Sequence, residues 1–432
     1  MKTVVLRVTE TGGRDATTRY IPPKLALAVG MPATLAPKDW RWTPLTELAR
    51  LESGHTPSRK HPEYWGGTLP WIGIQDAKTN HGRCIEDTQE KTNELGIENS
   101  SARILPENTV CLSRTASVGY VVVMGHPMAT SQDFVNWVCS KYLDHNFLKY
   151  LFIAEGEELL RFASGAVHQT IYFPEAKAFH ICHPALPEQQ RIVGILDEAF
   201  DGLAIATANA EQNLRNVRAL FESHLQSVFT QRGKGWVEKP LWKLCTFSSG
   251  GTPSKTNRSY WAGTIPWVSG RDMKTTRLSD TALHISQRAV DESSTRMAPA
   301  GSLLTLVRGM GLAHGAQISE LMVSCAFNQD IRAIQPEQNV VPRFLLFALR
   351  TRINHGENVL SNAAHGTLKI DMDELRNVEV PIPIPEEQRR IVRTIDDLSS
   401  ETQRLESIYQ QKLAALSELK KSLLRQAFSG QL

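Results

Sequence analysis

The chain is written twice, and that repetition constrains its fold more than any other feature. Ser53-Gly54-His55-Thr56-Pro57-Ser58 returns as Ser249-Gly250-Gly251-Thr252-Pro253-Ser254, an offset of 196 residues. Tyr64-Trp65 and Gly67-Thr68-Leu69-Pro70-Trp71-Ile72 keep that offset as Tyr260-Trp261 and Gly263-Thr264-Ile265-Pro266-Trp267-Val268, and Asp76 and Lys78 keep it as Asp272 and Lys274. Gln132-Asp133-Phe134 is echoed by Gln329-Asp330-Ile331, and His168-Gln169-Thr170-Ile171 by His365-Gly366-Thr367-Leu368. By Glu188-Gln189-Gln190-Arg191-Ile192-Val193 and Glu387-Gln388-Arg389-Arg390-Ile391-Val392 the offset has become 199, and it stays there to Val228-Phe229 and Ala427-Phe428. So few indels over so long a stretch exclude chance similarity.

Each copy has two unlike parts. The first, 40–186 and 236–384, is rich in Gly, Pro, Thr and Trp. Its short β-prone runs are Leu69–Ile74, Thr109–Leu112, Gly119–Met124 and Phe134–Cys139, then Ile265–Val268, Ser302–Val307 and Ile331–Ile334. Phe147–Phe162 and Arg343–Arg352 read as helical. The second part, 187–235 and 385–432, carries apolar residues every three or four positions. The first stripe is Ile192, Leu196, Ala199, Leu203, Ala206, Ala210, Leu214, Val217 and Leu220. The second is Ile391, Ile395, Leu398, Leu405, Ile408, Leu416, Leu419 and Leu423. That spacing specifies a coiled-coil seam. Pro187 and Pro385 mark the helix starts, and Gly233-Lys234-Gly235 the end of the first. Each helix of some 40 residues would be about 60 Å long. Neither buries its stripe alone, and pairing the two antiparallel solves both problems. The expectation is an α+β chain with a pseudo-twofold internal repeat: two tandem α/β domains separated by two long helices in an antiparallel coiled coil. Such a rod fixes the separation of two binding faces, as a Gly/Ser linker would not. Residues 1–39 precede the repeat and are read as a strand pair packed on the first domain.

Composition excludes more than it identifies. With 41% hydrophobic and 22% charged residues the chain is globular in type, and no apolar run approaches the roughly 20 residues that span a bilayer. Arg7, Glu10, Arg14 and Asp15 break up any apolar N-terminal stretch, so a cytoplasmic chain is expected. The six cysteines are scattered without a CxxC pair, giving neither a zinc site nor a disulfide framework. A net charge of +3 confines any DNA-binding surface to local patches and leaves acidic faces for protein partners.

Two sister modules at a fixed span suit an extended, two-part target. On B-DNA, faces reading the same side lie about one turn apart, roughly 34–36 Å. The Gly-Thr-Pro-Ser turn, the (Ile/Leu)-Pro-Trp-(Ile/Val) strand with its following Asp, and the proline-led Glu-Gln-x-x-Ile-Val helix opening each occur twice, in order. In these residues the stretch 40–432 resembles the specificity subunits of type I restriction–modification enzymes. The resemblance implies two target-recognition domains, each reading one half of an asymmetric split DNA sequence. It implies helices that set the unread spacer and dock two methyltransferase subunits, with restriction/translocase subunits joining. S-adenosylmethionine, ATP and Mg would belong to those partners, with no cofactor, no catalysis and no membrane contact in this chain. The family pattern has Gly before the motif Asp. Here Gln75 and Arg271 stand there, so that loop's base contacts are not carried over.

Phosphate affinity comes from Lys and Arg, and base readout from Arg, Lys, Asn and Gln at groove edges. The loops of copy one offer Arg59, Lys60, Gln75, Lys78, Arg83 and Arg114. Those of copy two offer Lys255, Asn257, Arg258, Arg271, Lys274, Arg277 and Arg308. For each alone a solvated charge is an equal reading, and the matched clusters favour a shared DNA face. Trp71 and Trp267 read as core; His168 and His365 read either as backbone contacts or as structural hydrogen bonds. Lys255-Thr256 fails the Walker spacing because Ser254 precedes the Lys. Asp76-x-Lys78 and Asp272-x-Lys274 resemble a nuclease's Asp and Lys, but lack the further carboxylates that a metal needs. No Asn-Pro-Pro-aromatic methylation motif is present. The competing reading is a tandem-domain coiled-coil scaffold that binds only proteins.

Overall fold

The computed structural model describes residues 26–27, 36–115, 117–165, 168–231, 233–309, 312, 315–355, 360–362 and 368–432. They form two compact units, residues 1–210 with 411–432 and residues 211–410.

In the first unit, β-branched and aromatic runs build a five-stranded sheet in the order Ala49–Ser53, Phe134–Cys139, Val110–Ser113, Val121–Met124, Cys84–Ile85. The second unit repeats that order with Cys245–Ser249, Ile331–Pro336, Leu303–Leu306, Ile318–Leu321 and Arg277–Leu278. In both, the inner pairs are antiparallel and the last edge pair is parallel. A second small sheet holds the Pro-Trp strand. Trp65–Ile72 lies between Glu90–Thr92 and Ala129–Thr130, and Ile265–Val268 between Leu283–Ile285 and Cys325–Phe327. Both central helices expected from sequence form, His145–Glu155 continuing as the 3-10 turn Gly156–Phe162, and Pro342–His355. Asp144 starts the former by accepting the N–H groups of Asn146 and Phe147.

Of residues 1–39, the described part includes the strand Ala26–Leu27. It pairs parallel with His180–His183, which pairs antiparallel with Arg41–Pro44. Leu27 is buried in the first core with Trp137, Phe147 and Phe152.

The long helices run Leu186–Thr230 and Pro385–Phe428. In the first unit the start of one lies against the end of the other: Ile192, Val193 and Leu196 share a core with Leu424 and Ala427, and Phe428 meets Phe147 at 5.1 Å. In the second unit the ends exchange places, so Leu225 and Phe229 share a core with Ile391 and Ile395. Three expected seam residues are corrected. Leu220 is 65% exposed, Ile408 44% and Leu419 49%, while Phe221 and Leu225, then Leu423 and Leu424, turn inward. An α-helix slips about 20° per heptad against a 3.5-residue repeat. Leu220 and Leu419 each stand four heptads past Ile192 and Ile391, so the seam has moved off them.

Candidate nucleic-acid interface

The repeated motifs turn out to be a brace, built the same way in both units. Gly54 and Gly250 occupy places where a Cβ would lie 1.9 Å from the Ser131 carbonyl oxygen and 2.3 Å from that of Asn328, so the turn tolerates only glycine. The turn's Thr56 hydroxyl donates to Gln132 Oε1, and Thr252 does the same to Gln329 Oε1 at 2.5 Å. Trp71 and Trp267 are buried, and each indole N–H donates at 3.1 Å to the turn, to the carbonyls of His55 and Gly251. Each is met edge-on by the repeat's other tryptophan, Trp65 at 5.1 Å and Trp261 at 5.0 Å.

The motif aspartates hold the next loop. Asp76 Oδ2 accepts the Gly73 N–H and Oδ1 the Gln89 N–H, both at 2.9 Å. Asp272 accepts the N–H groups of Ser269 at 2.8 Å and Ala282 at 3.1 Å, and the Ser269 hydroxyl at 2.8 Å. Each carboxylate is therefore a strut between two backbone segments. Among the described residues no group of three or more His, Cys, Asp or Glu is arranged to hold a metal ion.

On this brace the residues singled out from sequence part company. Gln75 and Lys78 project into solvent from the short helix Ile74–Thr79, and Arg271 and Lys274 are exposed on the equivalent loop. Lys60, Arg83, Lys255, Arg258 and Arg308 are exposed too. The other four have structural partners. Arg59 makes a two-pronged pair with Glu90 at 2.5 and 2.6 Å, its guanidinium 3.8 Å from the Trp65 ring centre. That pairing raises Arg59 above the usual arginine range and lowers Glu90 below the usual carboxylate range. Arg114 is half-buried, its Nε donating to the Gln132 carbonyl at 3.0 Å; burial lowers its pKa. Asn257 caps a 3-10 turn by accepting from the Ser259 N–H and hydroxyl. Arg277 pairs with Asp396 of the second long helix at 2.9 Å, beside Arg343, which reaches the same carboxylate at 2.9 Å. His168 is exposed, and His365 lies outside the described residues.

Two positions with a structural role escaped the sequence reading. Gln189 and Gln388 are fully buried at the helix openings. Gln189 accepts the Asp144 N–H at 2.9 Å and donates to the Tyr142 and Pro184 carbonyls; Gln388 accepts the Val341 N–H at 2.7 Å and donates to those of Asn339 and Pro383. They latch each helix to its domain. Leu283, 48% exposed, has the register opposite Trp267 that Glu90 holds opposite Trp71.

The comparisons agree with this doubled frame. The family model for the type I restriction modification DNA specificity domain matches residues 37–214 and again 233–414. The type I restriction enzyme MjaIX specificity subunit of Methanocaldococcus jannaschii is 28% identical over 54% of this chain and 57% of its own length. The EcoR124I/EcoR124II specificity subunit of Escherichia coli is 30% identical over 50% of this chain and 53% of its own. The chain thus spans about half the length of the curated relatives it matches. Among solved structures, one concerned with complex assembly and conformational transition of the type I R-M system superposes with a TM-score of 0.75 at 20% identity, over 92% of this chain and 100% of the other. The HsdS subunit from Thermoanaerobacter tengcongensis gives 0.59 at 18% identity, over 92% and 99%. Those likenesses establish the fold. With the family's domain matched twice across most of its length, this chain belongs to the type I restriction modification DNA specificity domain family.

Proposed function

We propose that this chain is the DNA-reading, non-catalytic specificity subunit of a type I restriction–modification complex, each unit reading one half of a two-part site. One observation carries the reading: the same brace in both units presents exposed polar or cationic side chains at matching loop positions, Gln75 and Lys78 against Arg271 and Lys274. The brace is common and the residues it displays differ, as two domains reading different half-sites require.

Methyl transfer and ATP-driven cleavage then fall to two methyltransferase subunits and to restriction/translocase subunits, which would hold the S-adenosylmethionine, ATP and Mg. The exposed apolar residues of the long helices, Ile205, Leu220, Ile408 and Leu419, support protein docking there. No helix among the described residues is long and apolar enough to cross a membrane, and the reading places the chain in the cytoplasm with its DNA. The test is methylome sequencing of cells with and without the gene. Loss of one bipartite methylated motif is expected, and an unchanged methylome would sink the reading.

A further inference from the structure

The two units differ at one corner of the brace. In the first, the Arg59 guanidinium lies over Trp65 and pairs with Glu90. In the second, Lys255 stands at the position of Arg59, Leu283 at that of Glu90 and Arg258 at that of Pro62. With no carboxylate opposite, Lys255 and Arg258 make no ion pair among the described residues, and a cleft of about 300 Å3 opens between them, the Trp261 indole and Leu283. Its floor is apolar and its rim is cationic, and at the matching place in the first unit Arg59 is paired with Glu90. Charge fixes the occupant's sign, and the apolar floor requires a ring or methylene face beside the anion. A DNA phosphodiester with its deoxyribose meets both demands, the phosphate on the two cations and the sugar face against Trp261 and Leu283.

We propose that the Lys255–Arg258–Trp261–Leu283 cleft is a backbone-nucleotide subsite, through which the second unit grips a DNA phosphate. The inference rests on the DNA-reading function above. The subsite acts on affinity and register and leaves the recognised bases unchanged, because it meets the sugar and phosphate only.

The experiment measures duplex binding by the full chain with its methyltransferase subunits, over a range of salt concentrations, on cognate and scrambled duplexes. The closing variant Lys255→Arg/Leu283→Glu recreates the first unit's ion pair, and Lys255→Gln, a change at an exposed residue, guards against misfolding of the double variant. Each is expected to weaken both duplexes alike and to reduce the slope of log affinity against log salt by about one, the signature of one lost phosphate contact. Unchanged affinity and slope in both variants, with wild-type binding intact, would overturn the subsite alone. So would weakening confined to the cognate duplex, which would mean base readout, or weakened subunit assembly with DNA binding intact. Wild-type protein that binds neither duplex would overturn the DNA-reading function itself.

Discussion

Asp272 shows how much a single side chain carries in this framework. Its two oxygens accept from Ser269 and Ala282 and tie together the loops that display Arg271 and Lys274. Asp272→Asn replaces one acceptor with a donor and leaves a backbone N–H facing an NH2. A cost of about 1–3 kcal/mol is expected. Urea unfolding would check it, and a midpoint equal to wild type would show that the loops are held by something else. The exposed Lys274 side chain makes no hydrogen bond or ion pair among the described residues. Lys274→Ala should leave stability within about 0.5 kcal/mol while weakening DNA binding. A filter-binding titration decides it: equal affinity for wild type and variant would remove Lys274 from the interface. The sequence displayed these residues without their partners. Asp76 and Asp272 stood out by repetition and hinted at metal chemistry, but their oxygens point at backbone amides that only the folded loops bring near. Arg277 looked like a loop cation because Asp396, more than a hundred residues away, was invisible from it.

At the scale of elements, strands and helices were legible because alternation and three-to-four spacing act locally. The exact seam was not, since a slip of about 20° per heptad is too small to see in one turn and decisive after four. The helix openings reveal the same limit. Their Glu and Arg are exposed i,i+3 pairs, Glu188 with Arg191 and Glu387 with Arg390, whereas the buried glutamine between them fastens the helix. Gln388→Ala would leave the Val341 N–H and two carbonyls without their partner, at about 1–3 kcal/mol for the buried donor alone. Hydrogen exchange at Val341 and along the first turns of the second long helix should quicken, and unchanged protection would refute the latch. Beside the first latch lies His183, in the strand His180–His183. Its Nε2 is 3.0 Å from the Thr43 hydroxyl and its Nδ1 2.9 Å from the Pro184 carbonyl, so the neutral ring fits both. Burial, with Arg41 nearby, holds its pKa below the ordinary 6.5. A depressed pKa contributes stability that is present above 6.5 and fades as pH falls through the folded-state value. His81 and His145 shift the same way, also through burial. His183→Asn should therefore flatten part of the stability loss on acidification below pH 6.5. Urea midpoints at pH 7.5 and 5.5 would measure it, and an undiminished drop in the variant would clear His183 of the role.

For the whole molecule, the decisive fact is that both long helices belong to both units. Leu186–Thr230 begins in the first unit and ends in the second, and Pro385–Phe428 makes the return journey. Each unit's core is completed by one helix's beginning and the other's end. Lengthening both together keeps Ile192 with Leu424, and Leu225 with Ile391. Seven residues inserted after Ala210 and seven after Gln410 add two turns to each helix, about 10.5 Å at 1.5 Å per residue. At 3.4 Å per base pair that corresponds to about three pairs of DNA. Methylome sequencing of cells carrying the doubly extended chain should then find both half-sites intact and the unread spacer longer by about three base pairs. If the half-sites changed while the spacer stayed constant, the helices would not be what measures the distance, and the two units would have to find their half-sites by some other constraint.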